Sequence, residues 1–467
     1  MRKHPIYSII TIAVLTLTAC AGQHGDQSDV NPGIDMPASW SQSNTNTAAA
    51  MPDAQWWKRF GSDELSKLVV EGQQNSFEIA AAVSRVREAQ LQARIAGAPL
   101  LPEVDVNAGV NRQLPLAAGA ATTSANGLLQ ISYEADFWGK NRASLSSAEA
   151  SLRASIYDKE TVNLTVTAGI VSTYLQVLSL RDRLVVARKN VDNAEHVLTL
   201  LQSQSRAGAA SSLDLARQRS IVADQRAEIP SLQQQEHDAL AALAILLGHS
   251  PQNFNVAGKG LAEIEMPEIA PGLPSELLSR RPDIQRVEAQ LAAANANIDV
   301  ARASLFPSIY LTGAAGGQSN ALLSLFNGPN LLANFGTSLV GTIFDGGSRR
   351  NARDLAIEQK QELVQVYRET VIKALYEVDQ SLNLIQSIKE RYDLKNTQVE
   401  QAGYAFNLSE IRYRAGAEEL MTVIDTERSL SDAQNQLGQI KLDRLKATVA
   451  LYKALGGGWH ESRDLLH

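Results

Sequence analysis

A chain that carries out a reaction shows its reactive side chains at recognisable spacings, and this one shows very few. Its seven histidines are scattered, with no pair one helical turn apart to grip a metal. No Gly-x-Ser-x-Gly elbow, His-Glu-x-x-His pair or phosphate-cradling loop occurs, so hydrolysis of esters, peptides or nucleotides lacks its residues and an enzyme is not expected. The single cysteine, Cys20, excludes an internal disulfide and a cysteine metal cluster. A net charge of -7, from 43 Lys+Arg against 50 Asp+Glu, provides no clustered basic face for nucleic acid. What remains is the Cys20 thiol and a group of charges beside two Arg-Ala-Gly-Ala segments: Arg206, Asp214, Arg414, Glu418, Glu419 and Asp425. By residue type alone these charges are a solvated face at exposed helix ends.

Three elements have to position them, and the first is N-terminal. Arg2 and Lys3 precede an apolar run, Ile6 to Leu17, that is shorter than the ~20 residues of a membrane span, so residues 1–19 are expected to be a removable signal peptide. The run ends Leu17-Thr18-Ala19-Cys20, which resembles a bacterial lipobox, in which the cysteine is acylated and becomes the first mature residue. Ala21 follows it in place of the Asp that signals inner-membrane retention. Residues 20–52, rich in Gly, Ser, Asn, Gln, Asp and Pro, read as an acylated tether.

The second element is helical and occurs twice. Prolines are absent from 116–229 and 330–467, and Gly169 and Gly403 are the only glycines in 140–207 and 348–415. Each stretch can therefore run as one helix of about 65 residues, close to 100 Å at ~1.5 Å per residue. Ile357, Val364, Val371, Val378, Ile385, Tyr392, Val399, Phe406 and Tyr413 repeat every seven residues. Ile170, Val177, Leu184, Val191 and Leu198 form one stripe in the first half, and Tyr157, Leu164, Val171, Leu178 and Val185 another. Spacing by seven is coiled-coil packing, and two stripes on one helix imply neighbours on both sides. Ala98-Pro99-Leu100-Leu101-Pro102 aligns with Ala303-Ser304-Leu305-Phe306-Pro307, Phe137-Trp138-Gly139 with Phe344-Asp345-Gly346, and Leu247-Gly248 with Leu455-Gly456. With Arg206-Ala207-Gly208-Ala209 and Arg414-Ala415-Gly416-Ala417, these landmarks indicate an internal duplication. The first repeat is placed at 53–247 (long helix 140–206, helix 211–247), a proline-rich connector at 248–274, the second repeat at 275–458 (long helix 348–414, helix 419–456) and a tail at 459–467.

The third element alternates with period two. Val104, Val106, Ala108 and Val110 oppose Asp105, Asn107, Gly109 and Asn111, and Leu129, Ile131, Tyr133, Ala135 and Phe137 oppose Gln130, Ser132, Glu134 and Asp136. Strands are expected at about 103–113 and 128–138, with weaker counterparts at about 307–317 and 335–345. Two readings fit: transmembrane strands with lipid on one side and water on the other, or a small soluble sheet packed on helices. Four strands cannot close a barrel, since bacterial barrels begin at ~8, so a membrane reading requires several copies of the chain.

These features resemble the TolC family of outer-membrane efflux factors, in its acylated branch. The likeness rests on Trp56-Trp57 with Phe60, Leu101-Pro102, Arg280-Arg281-Pro282-Asp283-Ile284, Tyr413-Arg414-Ala415-Gly416, Leu437 and the ending Tyr452-Lys453-Ala454-Leu455-Gly456-Gly457-Gly458-Trp459. It implies a mixed α/β membrane protein: a trimeric twelve-strand β-barrel, four strands per chain, continuous with a periplasmic α-helical coiled-coil barrel. Its implied partners are two sister subunits, a periplasmic adaptor, an inner-membrane transporter and outer-membrane lipid. The implied role is a passive exit duct for drugs or other small molecules that needs no cofactor beyond the lipid on Cys20. A structural coiled-coil lipoprotein that braces the envelope is the rival reading, and it would not need the strands. By the same resemblance, Asp425, Glu418, Glu419 and Asp214 are candidates for a carboxylate gate, with Arg206 and Arg414 as ion-pair partners holding it closed. Thr422 stands where some relatives carry a second acid. Ala207, Gly208, Ala209, Ala415, Gly416 and Ala417 are the expected adaptor contacts, as well as plain turns. Tyr133, Phe137, Trp138 and Phe344 suit either an interfacial aromatic girdle or packing at the sheet-to-helix junction.

Overall fold

The computed structural model describes residues 34–40, 53–116, 120–267 and 271–459. Cys20, the signal segment and most of the tether lie outside the described residues, and the larger compact unit is Pro37–His467. Its elements follow in order as α1 (Asp63–Asn75), α2 (Phe77–Gly97), β1 (Glu103–Gln113), β2 (Thr122–Ala135), α3 (Lys140–Arg206), α4 (Ser212–Leu246), α5 (Pro282–Ala303), β3 (Ser308–Ser319), β4 (Leu331–Val340), α6 (Ser348–Arg414) and α7 (Leu420–Ala454). A 3-10 turn, Trp56–Phe60, precedes α1, and one helical turn, Leu277–Arg280, precedes α5.

The duplication is plain in the lengths: α3 and α6 are 67 residues each, and α4 and α7 are 35 each. Each long helix is wide enough in its apolar pattern to serve two sets of neighbours. Ser147 of α3 donates to Asn297 of α5, and Asp158 of α3 pairs with Arg85 of α2. Farther along, Asn190 of α3 bonds Ser431 of α7, and Ala194 accepts from Gln218 of α4. The same division holds for α6, which meets α5 through Tyr367 and Glu288 and α7 through Lys395 and Gln436. The stripes behave accordingly: Ile170, Val177, Leu184, Val171, Leu178, Val371 and Val378 are buried. Val185 departs from its stripe and is exposed, because a straight 3.6-residue helix drifts away from a seven-residue repeat. Pro230 lies inside α4, where the 116–229 gap ends.

Shorter helices meet end to end where each long helix changes partners, and two glycines set the closeness of that meeting. Gly248 has φ +75° and its missing side chain leaves room for the Asn75 carbonyl; Gly456 has φ +87° and does the same for the Arg280 carbonyl. A Cβ would lie 2.4 Å and 2.6 Å from those oxygens, so only glycine fits. Beside this point sits the largest core, where the Trp56 ring stacks on Tyr452 at 4.8 Å among Phe60, Tyr174, Leu175 and Leu178. Arg281 is buried there. Its guanidinium donates to Asp283 at 2.7 and 3.0 Å, to Glu377 of α6 at 2.7 Å and to the Ala454 carbonyl of α7 at 3.0 Å. These partners raise its pKa against the opposing effect of burial, which is the largest single influence.

Two of the expected strands shift at both ends. β2 begins at Thr122, ahead of 128, because Thr122–Gly127 pair by backbone with Ala108–Gln113 although their side chains show no alternation. It stops at Ala135, short of 138, because Asp136 is taken up in capping α3. β4 is shifted to Leu331–Val340 from 335–345, since Asp345 caps α6 in the same way. Within the expected tether, Trp40 is buried and its Nε1 donates to the Gly272 carbonyl at 2.9 Å. In the expected tail, Trp459 packs on Tyr157 and bonds the Arg280 carbonyl.

Replacing Arg281 with Leu should destabilise the folded subunit by about 3 kcal/mol, since Asp283 and Glu377 lose a shared buried cation. Thermal unfolding of the detergent-solubilised protein checks this, and an unchanged midpoint would remove Arg281 from the clamp.

Candidate functional site

Strands β1 to β4 form one antiparallel sheet in sequence order, and its register sorts the side chains onto two faces. Val104 stands opposite Ile131, Val106 opposite Leu129 and Val110 opposite Ala125. Ile131 in turn faces Gly313, Tyr133 faces Leu311 and Ala135 faces Ile309, while Ile309 meets Leu339 and Gly313 meets Phe335. Successive residues of a strand point to opposite sides, so these residues make one continuous apolar face. The other face carries Asp105, Asn107, Gln130, Ser132, Glu134, Tyr310, Thr312, Asn334 and Ser338. Among the described residues only the β3–β4 connection reaches this side, through Leu325 and Phe326 beside Gly127; elsewhere it is bare, with Val106 78 % exposed and Phe335 90 %. A soluble sheet packed on helices would have buried it, so the structure favours the lipid-facing reading. β1 and β4 are the outer strands of the sheet, each paired on one side.

The junction between sheet and helices is built twice from the same parts. Asp136 accepts from the Asn141 and Arg142 amides at 2.9 Å each, and Asp345 accepts from Gly347 and Arg349 at 2.9 and 3.2 Å. Each carboxylate thus caps the start of a 67-residue helix, where free N–H groups and the helix dipole favour negative charge. Trp138 stacks on Phe306 at 4.7 Å and donates to the Pro307 carbonyl at 2.7 Å, so it ties the two repeats together. Phe137 stands edge-on to Trp138 yet is 60 % exposed, and Phe344 is also exposed. Tyr133 lies on the apolar face of β2.

At the opposite end of the long helices, both turns close alike. The Ala209 amide bonds the Gln204 carbonyl at 2.8 Å and the Ala417 amide bonds Arg412 at 2.9 Å, with Gly208 and Gly416 left-handed at φ +75° and +71°. These are Schellman endings. Ala207, Gly208, Ala209, Ala415, Gly416 and Ala417 are all exposed, and a Cβ on either glycine would meet nothing within 4 Å.

The charges are distributed unevenly around these turns. Asp214 belongs to a capping box: its amide donates to Ser211 Oγ at 3.1 Å and its carboxylate accepts from the Ser211 amide at 3.2 Å. Glu418 pairs with Arg412 at 3.4 Å and accepts from Thr422 at 3.2 Å. Glu419 precedes α7 and Asp425 lies in its second turn, both exposed. Arg206 is drawn to Gln202 and Ser203 of its own helix, and Arg414 to Glu410 and to His196 of α3. Within one subunit, therefore, the cation that meets a candidate gate carboxylate is Arg412, which the sequence had not singled out. Tyr413, whose hydroxyl donates to Gln204 at 2.6 Å, is held above its ordinary pKa by burial and by the Asp214 charge.

Residues 68–249 and 273–457 match the family model for outer membrane efflux proteins, one match per repeat. The chain belongs to this family. It is 43% identical to the pyoverdine export outer membrane protein OpmQ of Pseudomonas aeruginosa, over 97% of each chain. It is 28% identical to the probable outer membrane lipoprotein SilC of Salmonella typhimurium, over 99% of this chain and 100% of that one. Its fold superposes on the open-state MtrE outer membrane channel of Neisseria gonorrhoeae with a TM-score of 0.84, at 27% identity, over 91% of this chain and 96% of that one. The protein is an outer-membrane efflux channel component, and the exposed apolar sheet is its membrane-facing part. A bracing lipoprotein is set aside, because it would have no use for that sheet.

In this efflux channel Asp214 holds its own helix together. Asp214→Ala should cost about 1 kcal/mol of stability by opening the capping box, and should leave single-channel conductance unchanged. Altered conductance with unchanged thermal stability would return Asp214 to the gate.

Proposed function

We propose that three copies of the chain close a twelve-strand barrel and continue it as a tube of helices, forming a passive exit duct. The observation that carries this is the pair of unpaired sheet edges flanking an exposed apolar face. An open edge leaves N–H and C=O groups without partners, which hydrocarbon does not tolerate, so β1 of one copy pairs with β4 of the next. Three copies give twelve strands and a lumen wide enough for water; two would give eight, a barrel filled by side chains. The polar face of each strand then lines the water-filled side. In this arrangement Tyr133, Phe137 and Phe344 form the interfacial aromatics, while Trp138 packs the junction.

Cys20 carries acyl chains that add a second hold on the outer membrane, a role supported by the lipobox and by the lipoprotein relative. The exposed turns at 207–209 and 415–417 receive a periplasmic adaptor, which joins the duct to an inner-membrane transporter. Small side chains there let a partner helix approach closely. Around the threefold axis, Asp425, Glu418 and Glu419 gather into rings of like charge at the narrow end, which admit cations more readily than anions. The cargo is a small molecule delivered by the transporter, and the 43% identity to a pyoverdine export protein favours a siderophore of that kind.

Purified full-length protein should migrate as a heat-dissociable trimer and give single-channel currents in a planar bilayer. A lone subunit that never perforates the bilayer would overturn the proposal. Asp425→Ala with Glu418→Ala should raise resting conductance in an assembled trimer; unchanged currents would remove both from the gate. Gly416→Trp should impair pump-dependent export without affecting trimer assembly, and normal export would move the adaptor contact elsewhere.

A further inference from the structure

A polar layer crosses the packed helices a few turns in from the Arg-Ala-Gly-Ala tips. It comprises Asn190 of α3, Gln218 of α4, and Glu427 and Ser431 of α7, all more than nine-tenths buried. Asn190 donates to Ser431 Oγ at 3.1 Å, and the Gln218 amide group donates to the Ala194 carbonyl at 3.0 Å. That bond fixes which way the amide points, because the flipped orientation would set two acceptors against each other. With Gln225 of α4, which also reaches Ser431, four acceptors then remain buried without a donor: Gln218 Oε1, Gln225 Oε1 and both carboxyl oxygens of Glu427. Gln218 is also the polar neighbour of the Glu427 carboxyl. Ionised, the carboxylate would be cut off from water, with the Gln218 amide as the one neighbouring group that offsets its charge.

We propose that Glu427 is carried as the neutral acid, its proton donated to Gln218 Oε1, so that α7 is latched to α4 near the tips by one proton and is released when Glu427 ionises. The surrounding charges agree. Among the groups on the helices packed around it, Glu410 of α6 is the charge that acts on Glu427, and it is repulsive. The nearby basic side chains, Arg414 of α6 and His196 of α3, are engaged by Glu410 itself. From α4 and α3 the layer presents only the uncharged Gln218, Gln225 and Asn190, and Arg428, next to Glu427 on α7, is exposed. Burial first and Glu410 second push the Glu427 pKa up to about 7, from 4.5 for a solvated glutamate; the Gln218 contact acts in the opposite direction.

The sign of the pH effect follows. The packed form binds the proton more tightly than a parted form with Glu427 in water. Its advantage is complete below about 4.5 and is lost as pH rises to about 7, a change of roughly 300-fold in the packed-to-parted ratio at ten per pH unit. The latch is a property of each subunit; only its effect on conduction rests on the exit-duct reading.

Two measurements on the full-length, detergent-solubilised protein test it. Infrared titration should show a protonated-carboxyl stretch that persists from about pH 5 to pH 7 and is missing in Glu427→Gln, whose amide keeps a donor toward Gln218. Spin labels at R219C and R428C should separate progressively as pH rises from about 4.5 to about 7 in the otherwise unaltered protein, and should hold one distance at every pH with E427Q added. A Glu427 band absent from that window, or an E427Q protein that still separates with pH, would overturn the latch. Both readouts stand whether or not the protein conducts, so a failed duct and a failed latch give different results.

Discussion

Hydrogen bonding at the two edges of a four-strand sheet is the constraint on which everything else rests. In water, an edge strand satisfies its N–H and C=O groups with solvent; beside lipid it must find another strand. The register puts Val104, Val106, Leu129, Ile131, Leu311, Phe335 and Leu339 on one uncovered face, which commits the sheet to lipid and its edges to partners. Symmetric closure answers both demands, and it also brings the helices below the sheet around one axis. A channel is thus a consequence of pairing edges, with no further residue dedicated to making it.

Duplication supplies the wall. Two 67-residue helices and two 35-residue helices arise because the same series of signals is written twice: an aspartate capping the long helix, a glycine-closed tip, and a glycine where shorter helices meet. The repeats are not equivalent in detail. Trp138 of the first stacks on Phe306 of the second, and Arg281 of the second joins α5, α6 and α7 without an equivalent clamp in the first repeat among the described residues. Those asymmetric contacts decide that the halves pack as one unit.

The tip end is chemically different from the sheet end. Its turns are exposed and small, and its interior sets a buried polar layer beside a small apolar cluster that includes Leu201, Phe406, Leu420 and Val423. A layer of this kind contributes less to stability than leucines would, yet it fixes the pairing of helices and responds to charge.

Much was legible in the sequence, for identifiable reasons. Proline-free stretches and seven-residue spacing give the long helices to the residue, because backbone hydrogen bonding along a helix is local and proline breaks it. Period-two alternation gives β1, and the glycines of the tips give the turns. Only the tertiary structure decided the start of β2 at Thr122, since strand pairing joins backbones whatever side chains they carry. It alone showed Arg412 on Glu418, Asp214 as a cap, Arg206 bonded within its own helix, and Glu427 buried opposite Gln218. Each of those is a contact whose energy depends on distance and solvent exclusion, and both are properties of the packed chain. A letter code records which groups are present; folding decides which of them water can still reach.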